Sequence, residues 1–242
     1  MSAAEEIGSV ASLWRYPASS LGGERLDAAP LRTDGVEGDR LFGIVDAATG
    51  VIAKPDSDRK WHPVPRIAAR LDGGALEIKV PGGNWLPAPS DAADKAASSF
   101  LGFDAAIRRF EEGTTLEAPR YKKAPIHLLT TASLAELKAQ HPGGDPDPRR
   151  FRPNIVVDMP RVPGHFPETD WLGRRIAIGE VELEITDPCR RCGFTIIGQD
   201  GFEFDADILR TLVRKNRHNL GVYCEVTRPG TVRPADAMRF LD

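Results

Sequence analysis

The chain has 242 residues, 41% of them hydrophobic and 28% charged, with a formal net charge of −3, a balance that excludes disordered and fibrous classes. The near equality of 32 basic and 35 acidic residues argues against a dedicated nucleic-acid binder. Three cysteines, an odd number, argue against a secreted disulfide framework and point any special cysteine toward metal or redox chemistry in a reducing compartment.

The first ten residues place Glu5 and Glu6 where a secretory signal would be basic. No stretch approaches the roughly 18 uncharged apolar residues of a spanning helix, so neither a membrane span nor export is expected and the location reads as cytoplasmic. The 23 glycines and 20 prolines punctuate short apolar runs, which predicts a many-turned, strand-rich chain. Strands are expected over residues 7–14, 41–45, 51–54, 75–80, 126–129, 154–158, 175–178 and 181–186, each rich in Val, Ile or Leu and bounded by turn residues. In the last of these, Val181, Leu183 and Ile185 alternate with Glu182, Glu184 and Thr186, the pattern of a strand with one wet face.

Ser90 and Asp91 open an alanine-rich helix that ends near Gly102. Thr131 or Ser133 is expected to cap a short helix through Leu137, with Glu136 completing a capping box. The longest expected helix runs from about Asp205 to His218, with Arg214, Lys215 and Arg217 near its C-terminus and Gly221 just beyond. The polar segment from 113 to 123 separates a half without cysteine from a half holding all three, so a boundary is placed near residue 118, giving units of 1–117 and 118–242.

The pair Cys189-Arg190-Arg191-Cys192 carries the most chemistry. Two thiols at this spacing can share a metal, form a disulfide, or act singly as a thiolate stabilised by the adjacent guanidinium groups. Zinc would need two more ligands, and only Cys224 and the scattered His62, His127, His141, His165 and His218 are available, none at metal-binding spacing from another. A second basic cluster, Arg149-Arg150-Phe151-Arg152-Pro153-Asn154, reads either as an anion pocket at a strand entrance or as a solvated loop. No phosphate-binding loop, dinucleotide fingerprint, nucleophile elbow or metalloprotease helix occurs.

Five segments taken in order resemble the MOSC superfamily, the domain type found at the C-terminus of molybdenum-cofactor sulfurases. They are Tyr16-Pro17-Ala18-Ser19-Ser20 with Gly38-Asp39-Arg40; His127-Leu128-Leu129-Thr130-Thr131-Ala132-Ser133; Arg150-Phe151-Arg152-Pro153-Asn154; Cys189-Arg190-Arg191-Cys192; and Leu220-Gly221-Val222-Tyr223. The resemblance implies a β-rich α+β fold, with a MOSC β-barrel core, an N-terminal β-barrel-like domain and a few short helices.

Within the superfamily the layout is similar to the mitochondrial amidoxime-reducing component and its bacterial relatives. That similarity implies a molybdopterin-type molybdenum cofactor with Cys192 as the metal ligand and catalytic centre. The cofactor contacts it implies are Ser20, Arg40, Thr131, Ser133, Arg152, Asn154, Arg190 and Arg191. The lysine of the family's Y-P-x-K-S segment is Ser19 here.

The activity implied is reduction of N-hydroxylated substrates such as amidoximes or hydroxylamines. Three cysteines cannot hold a four-thiolate [2Fe–2S] cluster, so the electrons are expected from a separate donor protein of ferredoxin, flavoprotein or cytochrome type. The alternative is a sulfur carrier or cofactor-binding protein acting through a persulfide on Cys192 or Cys189. At family level the resemblance also carries an association with pyridoxal phosphate. No nucleic-acid or membrane partner is expected.

Overall fold

The computed structural model describes residues 6–111 and 124–241. The first stretch holds β1 (Glu6–Arg15), β2 (Glu24–Leu26), β3 (Ala29–Arg32), β4 (Gly35–Val36), β5 (Phe42–Asp46), β6 (Ala68–Asp72), β7 (Ala75–Lys79), β8 (Leu86–Ala88), α1 (Asp91–Leu101) and β9 (Ala105–Arg109). The second holds β10 (Ile126–Thr130), α2 (Thr131–Gln140), β11 (Ile155–Asp158), β12 (Arg175–Ile178), β13 (Val181–Arg190), α3 (Ala206–Asn216), β14 (Asn219–Arg228), β15 (Gly230–Val232) and β16 (Ala237–Phe240).

Seven strands close into a barrel in the order β11-β10-β14-β13-β12-β16-β1, with β1 pairing back to β11. Closure satisfies every strand edge of the ring, which an open sheet of this size would leave exposed. The alternation at Val181, Leu183 and Ile185 points these side chains inward, where they meet Val222, Cys224 and Val226 of β14 and Ile126 and Leu128 of β10 in one buried cluster. All are at most 3% exposed. Burying a side chain of this size contributes about 1.5–3 kcal/mol, so this interior dominates the fold.

Of the remaining strands of the first stretch, β2 pairs with β1, β3 and β4 form a small sheet with β15, and two further sheets, β5-β9 and β6-β7-β8, surround a separate core that includes Trp61, Ile67, Ile78 and Ile107. α1 covers this core through Ala93 and Ala97. Its N-cap Ser90 accepts from the Ala93 N–H at 3.2 Å, as the sequence predicts. The boundary expected near residue 118 lies outside the described residues. The chain on both sides of it builds the barrel, because β1 runs between β11 and β16. Among the described residues no helix is long and apolar enough to cross a membrane.

Three local expectations differ from the structure. The strand expected over 51–54 is reduced to one bridge between Ile52 and Val45, and Lys54 begins a turn. The N-cap of α2 is Thr130, whose Oγ1 accepts from the Ser133 N–H at 3.0 Å, and Glu136 bonds to Gln140 and Arg161 instead of closing a capping box. α3 stops at Asn216 because Arg217 turns left-handed, with φ 51°, to cap it.

Candidate functional site

The site forms where the turn after β1, the turn after β5 and the segment after β13 converge at one end of the barrel. They enclose a cavity of about 300 Å³ lined by Ser19, Ser20, Arg40, Lys54, Arg152, Arg191 and Cys192, with His127 and Tyr223 on its barrel side. Gly193 permits the convergence: a Cβ there would stand 2.7 Å from the Asp56 carbonyl, so the turn at 54–57 packs directly on the residue after Cys192.

Arg152 ties the two stretches of chain together. Its guanidinium donates to the Ala18 carbonyl at 3.3 Å and to the Leu21 carbonyl. It also stacks 4.1 Å from the centre of the Tyr16 ring. Arg40 is held by Asp39 and donates to the Arg152 carbonyl at 3.4 Å. Arg191 donates to the Cys189 sulfur and to the Phe151 carbonyl, each at 2.8 Å. Its Nε is buried and has no partner.

The charge state of this cluster is lopsided. Burial, then the like charges of Arg40 and Arg191, push Arg152 down to about 9, although it stays protonated at neutral pH. Burial also works against the charge of Arg40, but Asp39 and Tyr16 outweigh it and hold that guanidinium above its ordinary value. A buried guanidinium crowded by two others is relieved by an anion, and the cavity faces all three.

Backbone strain marks the same residues. Ser20, Arg40 and Arg152 all adopt left-handed backbone, with φ of 68°, 53° and 55°. Non-glycine residues pay about 1–2 kcal/mol for this, and such residues concentrate at functional sites. A specific result follows for Ser20, whose hydroxyl makes only a 3.5 Å contact with the Ala53 carbonyl. Ser20→Gly is expected to stabilise the protein by about 1 kcal/mol, read as a higher denaturation midpoint in urea.

Cys192 is exposed at the cavity, whereas Cys189 and Cys224 are buried. Among the described residues no group of three His, Cys, Asp or Glu side chains converges to hold a metal ion. A metal at Cys192 would therefore bring most of its ligands with it.

The structure brings Ser20, Arg40, Arg152, Arg191 and Cys192 to the cavity, and it does not bring the other candidates there. Asn154 lies behind the wall, where its side-chain oxygen accepts from the His127 N–H at 3.2 Å and its amide donates to the Trp14 carbonyl. Arg190 points outward and is exposed. Thr131 bonds to Asp158 at 2.8 Å, and Ser133 is buried against Glu168. The polar groups of that segment are consumed in starting α2 and in holding Glu168, whose carboxyl is pushed up by burial. Sequence reading missed Lys54, His127 and Tyr223 as wall residues. The alternation Leu220, Val222, Cys224, Val226 could have found the strand that carries Tyr223.

A family model described as the MOSC domain matches residues 99–239, and one described as the MOSC N-terminal beta barrel domain matches residues 7–117. Mitochondrial amidoxime reducing component 2 of Bos taurus is 25% identical over 96% of this chain and 83% of its own length. A molybdenum cofactor sulfurase of Drosophila grimshawi is 26% identical over 86% of this chain, which spans only 31% of that longer protein. The solved YUAD protein from Bacillus subtilis superposes with a TM-score of 0.50 at 14% identity, covering 96% of this chain and 93% of its own. With both family models accounting for the barrel and for the strands that wall its cavity, the chain belongs to the MOSC domain family.

Proposed function

We propose that the protein is a molybdenum-cofactor-binding oxidoreductase that reduces N-hydroxylated substrates in the cytoplasm, with electrons from a separate donor protein. The observation that carries this reading is the convergence of Arg40, Arg152 and Arg191 on one cavity with the exposed Cys192. The donor set suits such a cofactor on two counts. A thiolate is a soft ligand, and the buried, unpartnered Nε of Arg191 together with the surplus positive charge calls for an anionic partner.

On this reading Cys192 holds the metal, and Arg152 and Arg191 hold the anionic part of the cofactor. Lys54 supplies a further cation and Ser19 and Ser20 supply hydroxyl donors. The bound group supplies two-electron chemistry, so that N–O cleavage consumes two electrons and two protons and yields the amine-type product and water. Sequence similarity to the bovine amidoxime reducing component supports the substrate class.

The test is molybdenum by elemental mass spectrometry and oxidised pterin by fluorescence, on wild type and Cys192→Ser from a host that synthesises the cofactor. Near-stoichiometric molybdenum in wild type, lost in the variant together with benzamidoxime reduction by a reduced viologen, is the expected result. Absence of metal and pterin in both, with sulfane sulfur trapped on Cys192, would overturn it in favour of a sulfur carrier.

A further inference from the structure

Cys189 is not on the cavity wall, yet three wall residues meet at its sulfur. Arg191 donates to it at 2.8 Å. The His127 ring and the Tyr223 side chain are hydrogen-bonded to the same atom. The three come from different elements: Arg191 from the segment after β13, His127 from β10 and Tyr223 from β14. In the barrel register His127 lies directly opposite Tyr223, and β14 bulges opposite Cys189, where Leu220 and Gly221 stand across from that one residue between the Pro188–Val222 and Arg190–Asn219 pairs.

We propose that Cys189 is a positioning residue, whose buried sulfur anchors Arg191, His127 and Tyr223 from behind and so fixes the donors that Arg191 presents to the cavity. The proposal rests on reading the cavity as an anion site. Two of the guanidinium's three nitrogens are pinned, one by Cys189 and one by the Phe151 carbonyl, and the unpartnered Nε is left in place before any ligand arrives. Donors fixed in advance cost no reordering on binding, which is the general advantage of preorganisation.

A neutral thiol is a weak acceptor and would not gather three donors; a thiolate would. Burial alone would raise Cys189, but Arg191, His127 and the hydrogen bonds from His127 and Tyr223 outweigh it and bring it down to about 6. A further titratable neighbour is Cys224 of β14, pushed up by burial and by the charge of Cys189. Tyr223 is pushed up by burial and by Cys189 and stays a donor. Because the folded chain loses this proton more readily than the unfolded one, the thiolate's contribution to stability is complete above the ordinary thiol value of 9.0 and disappears as pH falls through about 6.

The experiment follows two signals on the full chain prepared without cofactor, so that it is independent of molybdenum loading. Thiolate absorbance in the ultraviolet is expected to show one sulfur ionising near pH 6 in wild type and in Cys192→Ser, and not in Cys189→Ser. The Nε–H resonance of Arg191, assigned by its loss in Arg191→Lys, is expected to shift with the same midpoint in wild type and to lose that step in Cys189→Ser. Binding of inorganic pyrophosphate is expected to weaken about tenfold in Cys189→Ser, the loss of roughly one charge-assisted bond.

An Arg191 signal that ignores the ionisation, or no ionisation below pH 8 in wild type, would overturn the proposal without any variant having to fold. Coupled titration in a protein that never takes up molybdenum would support the role of Cys189 and remove the cofactor reading. Molybdenum uptake with an Arg191 signal indifferent to Cys189 would do the reverse.

Discussion

Gly221→Ala is expected to destabilise the protein by about 3 kcal/mol and to disorder the barrel side of the cavity. Gly221 sits in β14 with φ 76°, a backbone conformation that alanine adopts at a cost of about 1–2 kcal/mol. The steric term is larger. A Cβ at this position would stand 2.6 Å from the Leu128 carbonyl and would also strike the His127 ring. Neither obstacle can yield freely, because Leu128 pairs with Val222 in the barrel and the His127 ring contacts the Leu220 carbonyl at 3.3 Å. Relief must therefore come by separating β10 from β14, which loosens a strand pair of the closed ring and withdraws His127 from Cys189. The check is chemical denaturation followed by far-ultraviolet circular dichroism. A loss under about 1 kcal/mol would mean that the bulge relaxes locally and that the close approach of β10 is not needed.

What the sequence made legible depends on how local the signal is. Val181, Leu183 and Ile185 announce β13 because a strand with one buried face must alternate, and Ser90 announces α1 because the first turn needs a side-chain acceptor. The ring order was not legible. That β1 should lie between β11 and β16, more than 140 residues away along the chain, depends on which edges remain to be satisfied once the other strands have paired.

The same division holds at the site. Cys192, Arg191, Arg152 and Arg40 stand out as cysteine and arginine motifs, whereas Lys54 belongs to no motif, and His127 and Tyr223, though they lie in segments that carry the family resemblance, become wall neighbours only through the barrel register. Thr131 and Ser133 show the opposite failure. Their hydroxyls suit a ligand on chemical grounds, but Asp158 takes that of Thr131 and the buried Glu168 takes that of Ser133. Cys189 was read together with Cys192 as one motif. The structure separates them, one buried behind the wall and the other exposed at the cavity.

Arg152→Ala is expected to cost about 3–4 kcal/mol of stability and, on the proposed function, to abolish retention of the molybdenum cofactor. The guanidinium satisfies the Ala18 and Leu21 carbonyls and fills the space between the Tyr16 and Phe194 rings, at 4.1 Å and 5.4 Å from their centres. Truncation leaves two buried acceptors unpaired, opens a cavity, and cuts the link between the turn after β1 and the segment before β11. Part of this loss is offset, because removing one of three crowded cations relieves the repulsion from Arg40 and Arg191. Arg152→Met separates the contributions. Its side chain refills the space and keeps the relief of repulsion, so it should recover roughly half of the lost stability while leaving the two carbonyls unpaired. Cofactor retention, read as molybdenum per chain, should be as low in Arg152→Met as in Arg152→Ala, because what an anion needs at this position is the charge. If Arg152→Met retained molybdenum as wild type does, the guanidinium would be holding the turn after β1 in place and contributing nothing to the anion. If the two variants were equally unstable, the unpaired carbonyls would account for the whole cost, with none of it due to lost packing.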